Sequence, residues 1–136
     1  MLRGLVMDFG GVLTDFGDDL AGGPPLLTAV RNAHRKGIAT ALLSNADGYW
    51  SPPDEWAGLF DAVVVSGEVG LAKPVAEIYH LTATRLGLAP SECVFVDDLA
   101  INVRGAAAAG MVGVHHVSMS TTLAELAVLL GFPLLP

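Results

Sequence analysis

The stretch Leu5-Val6-Met7-Asp8-Phe9-Gly10-Gly11-Val12-Leu13-Thr14 decides the fold. Leu2 to Asp8 is a short apolar run stopped by Gly10-Gly11, the pattern of a buried strand that delivers an acid at its C-terminal end. A carboxylate there can ligate a divalent cation or attack phosphorus. The glycines let backbone N–H groups turn toward an anion and keep side chains out of its way. Alone, a strand-end Asp serves equally well to cap a turn. Three more polar signatures close apolar runs downstream: Leu43-Ser44-Asn45, Ala72-Lys73-Pro74 and Phe95-Val96-Asp97-Asp98.

Between these signatures the chain alternates strand and helix. Pro24 or Pro25 opens a helix through about Lys36, with Leu26, Leu27, Val30 and Ala33 on one face and Gly37 as its stop. Ile38 to Leu43 reads as the second strand, Asp54 to Gly58 as one helical turn, and Ala62 to Val65 as the third strand. Val75 to Leu86 forms a helix burying Ile78, Leu81, Thr82 and Leu86. Cys93 to Val96 is a strand, Ile101 to Ala109 a helix, and Val112 to Val114 the fifth strand. A last helix covers Thr122 to Leu130, capped by Ser120 or Thr121. Residues 15–25, with Asp18-Asp19 and Gly22-Gly23-Pro24-Pro25, form a loop.

Strands apolar on both faces, each followed by a helix, predict an α/β fold with a doubly wound parallel five-stranded sheet, Rossmann-like, in one domain over residues 1–136. Right-handed crossovers bring every strand's C-terminal end to one edge, where such sheets bind ligands. All four signatures fall on that edge.

Composition narrows the partners. The chain has 136 residues, 52% hydrophobic and 15% charged, enough to bury a core. Its net charge of −7 argues against nucleic acid and against an anionic membrane surface. No apolar run reaches the length of about 18 residues needed to span a bilayer, and residues 1–7 lack the layout of a signal peptide. The single cysteine, Cys93, lies in an apolar run and reads as core, which fits a reducing compartment. These features describe a cytoplasmic, soluble protein.

The signatures complement one another chemically. Asp97-Asp98, two adjacent acids at a buried strand end, would repel each other unless a cation neutralised them. Lys73 offers the positive charge that phosphoryl transfer needs, and Ser44-Asn45 offers donors for phosphate oxygens. His115-His116 ends the fifth strand and could reach the rim of the same site.

In these four signatures and their order the chain resembles the haloacid dehalogenase-like superfamily, from Leu2 through roughly Val114. The pairs Ile78-Tyr79 after Lys73-Pro74, and Asn102-Val103 after Asp97-Asp98, belong to the match. The resemblance implies a Mg²⁺-dependent phosphohydrolase acting through an aspartyl phosphate. Asp8 is then the nucleophile, and Ser44, Asn45 and Lys73 bind the phosphoryl group. Asp8, the Gly10 carbonyl, Asp97 and Asp98 form the metal site, Asp98 directly and Asp97 through water. The partner is a phosphorylated substrate, small or large.

Two departures qualify that implication. The family's phosphatases carry a second Asp two residues after the nucleophile as acid and base; here the position is Gly10. Such help is worth about 10²–10⁴-fold, with Asp15, Asp47 or the substrate itself as candidate substitutes. The helical lid of many relatives also has no room between Asp15 and Gly23, so the site should be open. Both departures motivate an alternative, a catalytically weak or inactive binding module on the same fold. A response-regulator receiver domain has similar groups, but there the acid pair comes first and the Lys-Pro last. A dehalogenase would need a closed apolar pocket. Trp50 and Trp56 could form an aromatic wall, a dimer contact or core packing. The apolar segment 129–135 could seat a homodimer or cover the core edge.

Overall fold

The computed structural model describes residues 1–17 and 23–135. Asp18, Asp19 and Gly22 of the expected loop therefore lie outside the described residues. Five parallel strands form one sheet in the order β3-β2-β1-β4-β5: β1 Gly4–Met7, β2 Ala39–Ser44, β3 Ala62–Val65, β4 Cys93–Asp97 and β5 Val112–His115. The helices are α1 Pro25–Arg35, α2 Ser66–Val69, α3 Ala76–Arg85, α4 Ala100–Ala108 and α5 Met119–Leu130. None is long and apolar enough to cross a membrane.

The sheet is buried on both faces because its strands carry apolar residues at successive positions. Leu5 and Met7 of β1 point into one cluster with Leu26, Val30 and Ala33 of α1 and Leu126 of α5. Val6, between them, points into the other with Ile78, Tyr79 and Ala83 of α3 and Ala106 of α4. The period of two along the strand thus assigns the helices to opposite faces. Cys93 is fully buried, and its thiol is pushed up to about 11 by burial and the nearby Glu92 carboxylate.

Chain segments run from β1 to β2 and β3 on one side, then cross to β4 and β5 on the other. The reversal lies between β1 and β4, which opens a crevice at their C-terminal ends. Met7 is in register with Val96, so Asp8 emerges beside Asp97. Phe9–Leu13 is a tight turn rather than a regular helix, with Gly10 at φ −68 and ψ 128 and Gly11 at φ 79 and ψ −6.

Two helix details differ from the sequence reading, and the C-terminal segment takes one of the two roles that reading allowed. Helix α5 begins at Met119, and Ser118, not Ser120 or Thr121, is its cap, accepting from the Thr121 amide. The apolar pattern starts only at Leu123, whereas the cap works at the first exposed amides upstream. On α3, Tyr79 and Ala83 join Ile78 and Thr82 in the interior, while Leu81 and Leu86 are half-buried. The C-terminal segment folds back on its own chain: Leu134 is buried, its carbonyl accepts from Asn32 Nδ2 at 2.7 Å, and Lys36 lies 5.1 Å over the Phe132 ring.

Candidate active site

The four signatures meet in a cleft of about 340 Å³ lined by Asp8, Phe9, Gly10, Ser44, Asn45, Ala46, Trp50, Lys73, Asp98, Leu99 and Asn102. Its floor is a buried charge network. Lys73 Nζ donates to Asp8 Oδ1 at 2.7 Å, to Asp97 Oδ2 at 3.0 Å and to the Leu43 carbonyl at 3.0 Å. All three ammonium protons are therefore committed.

Asp97 is fully buried and does not line the cleft. Its Oδ2 also accepts from Asn102 Nδ2 at 3.1 Å, and its Oδ1 accepts from the Leu99 amide at 2.9 Å. Burial works to raise its pKa, but Lys73, the Leu99 amide and Asn102 outweigh it and hold the carboxyl below the ordinary range. Asp8, at the cleft surface, is pushed up to about 6, chiefly by burial and against the pull of Lys73. Asp98 is raised by burial and by the adjoining Asp97 carboxylate. One oxygen from each of these three acids falls within 4.8 Å of the others, an arrangement able to hold a metal ion.

Neighbouring elements hold each group in place. Both ends of the Asn45 amide grip the backbone of Lys73: Oδ1 accepts from its amide at 2.9 Å, and Nδ2 donates to its carbonyl at 3.1 Å. Helix α4 presses on Pro74 at Gly105, where an added methyl would lie 2.6 Å from Pro74 Cβ. Tyr79, fully buried and edge-on to Phe95 at 5.4 Å, donates to the Asn102 carbonyl at 2.7 Å. Its hydroxyl pKa is raised by burial, then by Asp97 and Asp8. Sequence reasoning passed over Tyr79 as a site residue, because its contribution runs through Asn102.

The two glycines after Asp8 have separate roles. Gly11 has a positive φ, and a side chain there would run into the Asp98 carboxylate. Its amide donates to Thr14 Oγ1 at 2.8 Å, so this N–H serves the turn rather than an incoming anion. Gly10 faces the cleft, and a Cβ there would meet nothing within 4 Å.

Neither candidate substitute acid lines the cleft. Asp15 Oδ2 accepts from buried His116 Nε2 at 2.7 Å and its Oδ1 from the Gly17 amide, and these bonds lower its pKa. Asp47 caps a turn by accepting from the Tyr49 amide at 2.9 Å. His115 reaches the rim, donating from Nε2 to the Asp98 carbonyl at 2.9 Å. Trp50 lines the cleft and packs edge-on to Phe9 at 4.9 Å. Trp56 sits behind Phe9 at 5.8 Å, against the core.

Comparison with known proteins identifies the family. The family model for haloacid dehalogenase-like hydrolases matches residues 18–110, a span that carries Ser44, Lys73, Asp97 and Asp98 and begins after Asp8. The chain belongs to this family. It is 31% identical over 115 residues to the sesquiterpene phosphatase astK of Aspergillus oryzae, covering 78% of this chain and 56% of that protein. The chain spans about half, or less, of the length of the curated relatives it matches. An uncharacterized protein from Corynebacterium glutamicum superposes with a TM-score of 0.82 at 32% identity, covering 97% of both chains. A family enzyme of Bacteroides thetaiotaomicron, solved with magnesium and inorganic phosphate, superposes at 0.54 with 25% identity, covering 69% of this chain and 51% of that one. Among the described residues no cap stands over the cleft.

Proposed function

We propose that this chain is a Mg²⁺-dependent phosphohydrolase that works through an aspartyl phosphate at an open site. The observation that carries this reading is the charge balance of the cleft floor. Three carboxylates cluster there, only Asp8 and Asp97 pair with the one ammonium, Lys73, and the set carries a surplus of two negative charges. One divalent cation would cancel that surplus, and an all-oxygen donor set suits a hard ion such as Mg²⁺. Asp8, the Gly10 carbonyl and Asp98 would hold the ion, with Asp97 behind them. When bound, it supplies positive charge to the phosphoryl oxygens. The phosphatase relative and the magnesium- and phosphate-bound neighbour support the same chemistry.

Asp8 presents its second oxygen, the one not given to Lys73, for attack on phosphorus. The bond from phosphorus to the ester oxygen breaks in line, and the electron pair leaves with the alcohol. Lys73, fixed by Asp97, the Leu43 carbonyl and the Asn45 amide at its backbone, offsets the growing charge while Ser44 holds phosphoryl oxygens. Water then attacks the aspartyl phosphate, freeing inorganic phosphate and restoring Asp8. With Gly10 in place of an acid, the departing alkoxide takes its proton from solvent, so alkyl esters should turn over slowly.

The test is a panel of phosphate esters with Mg²⁺, p-nitrophenyl phosphate included, with Asp8→Asn alongside. The expected result is turnover in the parent, none in the variant, and an unchanged unfolding temperature. Turnover that survives Asp8→Asn would overturn the assignment. A second reading, a phosphate-ester binding module with little turnover, is favoured by the open space at Gly10 and by the engagement of Asp15 and Asp47 elsewhere. Tight Mg²⁺-dependent binding of phosphate esters without hydrolysis would support it.

A further inference from the structure

We infer that the mouth of the cleft selects phosphate esters of neutral, apolar alcohols, with Phe9, Trp50 and Leu99 as the residues that read the alcohol. This inference rests on the phosphate-binding reading of the floor. The floor is polar throughout, but the walls above it are not. Phe9 and Trp50 form an edge-on aromatic pair at 4.9 Å, both lining the cleft. Trp56 at 5.8 Å from Phe9, and Phe60 at 6.1 Å from Trp56, stiffen that wall from behind. Leu99 lines the cleft from the loop after β4, whereas Trp50 follows β2; these strands flank β1 on opposite sides. Leu99 is 55% exposed, so its apolar surface is available to a ligand.

Charge points the same way. Among the described residues Lys73 is the one cation lining the cleft, and its three protons are spent on Asp8, Asp97 and the Leu43 carbonyl. A carboxylate or second phosphate on the alcohol would find no cation in the lining, and it would face Asp98. A sugar's hydroxyls would exchange water for ring faces and a leucine, which costs free energy when they go unpaired. An aromatic or aliphatic group loses nothing there and gains by leaving water. The space at Gly10 continues the cleft beneath this wall, where the family's acid would otherwise stand.

The decisive measurement is calorimetric binding of benzylphosphonate against methylphosphonate in the presence of Mg²⁺. Both probes carry the same charge and neither can be hydrolysed, so the comparison isolates the apolar group. Benzylphosphonate should bind about tenfold more tightly or better, the scale of discrimination that a hydrophobic pocket achieves. Trp50→Ala and Leu99→Ala should each shrink that ratio, and Trp50→Phe should keep most of it. Leu99, being half-exposed, can be truncated without opening the core, which keeps the test valid if Trp50→Ala unfolds. Equal affinity for the two phosphonates, or a ratio unchanged in Leu99→Ala, would overturn this inference alone. Failure of both phosphonates to bind with Mg²⁺ would instead remove the phosphate site on which it rests. In turnover, benzyl phosphate should exceed glycerol 1-phosphate in kcat/KM by a similar factor; parity would count against the inference.

Discussion

The floor and the mouth of the cleft lie a few residues apart in sequence yet obey different rules. On the floor, Lys73, Asp97 and Asn102 are buried, and each is committed to named partners on other strands or helices. At the mouth, Leu99 is half-exposed and Gly10 borders empty space. Near neighbours divide along this line: Asp97 from Leu99 two positions on, and Gly11 from Gly10. The floor needs one arrangement, since an unpaired buried charge costs several kcal/mol. The exposed positions of the mouth, Leu99 and Gly10, can change at little cost to the fold, unlike Phe9 and Trp50, which pack on the core.

Removing the floor's cation should have the largest effect. Lys73→Ala leaves Asp8 and Asp97 buried and facing each other, and should cost about 3–5 kcal/mol in chemical unfolding, the range for breaking a buried pair. Turnover should vanish with it. A loss under about 1 kcal/mol would mean that the floor is no more constrained than the mouth. Next comes Gly10→Asp, which restores the missing acid into open space. It should raise hydrolysis of alkyl phosphates by about 10²-fold without lowering the unfolding temperature. No gain in a folded variant that still binds Mg²⁺ would show that leaving-group protonation is not what the site lacks.

The glycine pair gives a sharper, smaller contrast. Gly11→Ala must place a side chain at φ 79 and against the Asp98 carboxylate. It should cost about 1–2 kcal/mol from the left-handed backbone alone and weaken Mg²⁺ binding measured by calorimetry. Gly10→Ala, at φ −68 and in open space, should move stability by no more than about 0.5 kcal/mol. Equal effects at the two positions would erase the distinction between floor and mouth. Smallest of all, Tyr49→Ala should leave the unfolding temperature within error, as expected for a surface position.

The floor was largely legible in the sequence, because its acids end apolar strands and topology dictates where strand ends gather; Lys73 differs, since it follows the short helix α2 and not a strand end. Asp8, Ser44, Lys73 and Asp98 all reach one cleft, and Asn102 arrives one helical turn after the acid pair. What each does inside that cleft was less legible. Asn45 reads as a phosphate ligand by position, but its amide is bound to the Lys73 backbone. Asp15 reads as a spare acid, yet His116, 101 residues away, holds it elsewhere. Such pairings depend on distances between elements that no local pattern encodes. The helix boundary at Ser118 shows the same limit on a smaller scale, since a cap is defined by the amides it meets.

The alternation of apolar strands and helices by itself determined the parallel sheet, its two covered faces and the edge that carries the chemistry, because burying apolar surface and right-handed crossovers allow few other outcomes. The tertiary structure decided the rest: that Asp97 faces Lys73 rather than the cleft, that Gly11 makes room for Asp98, and that Phe9, Trp50 and Leu99 form one apolar mouth. These are matters of which side chains meet across strands, and packing settles them only when every element is in place.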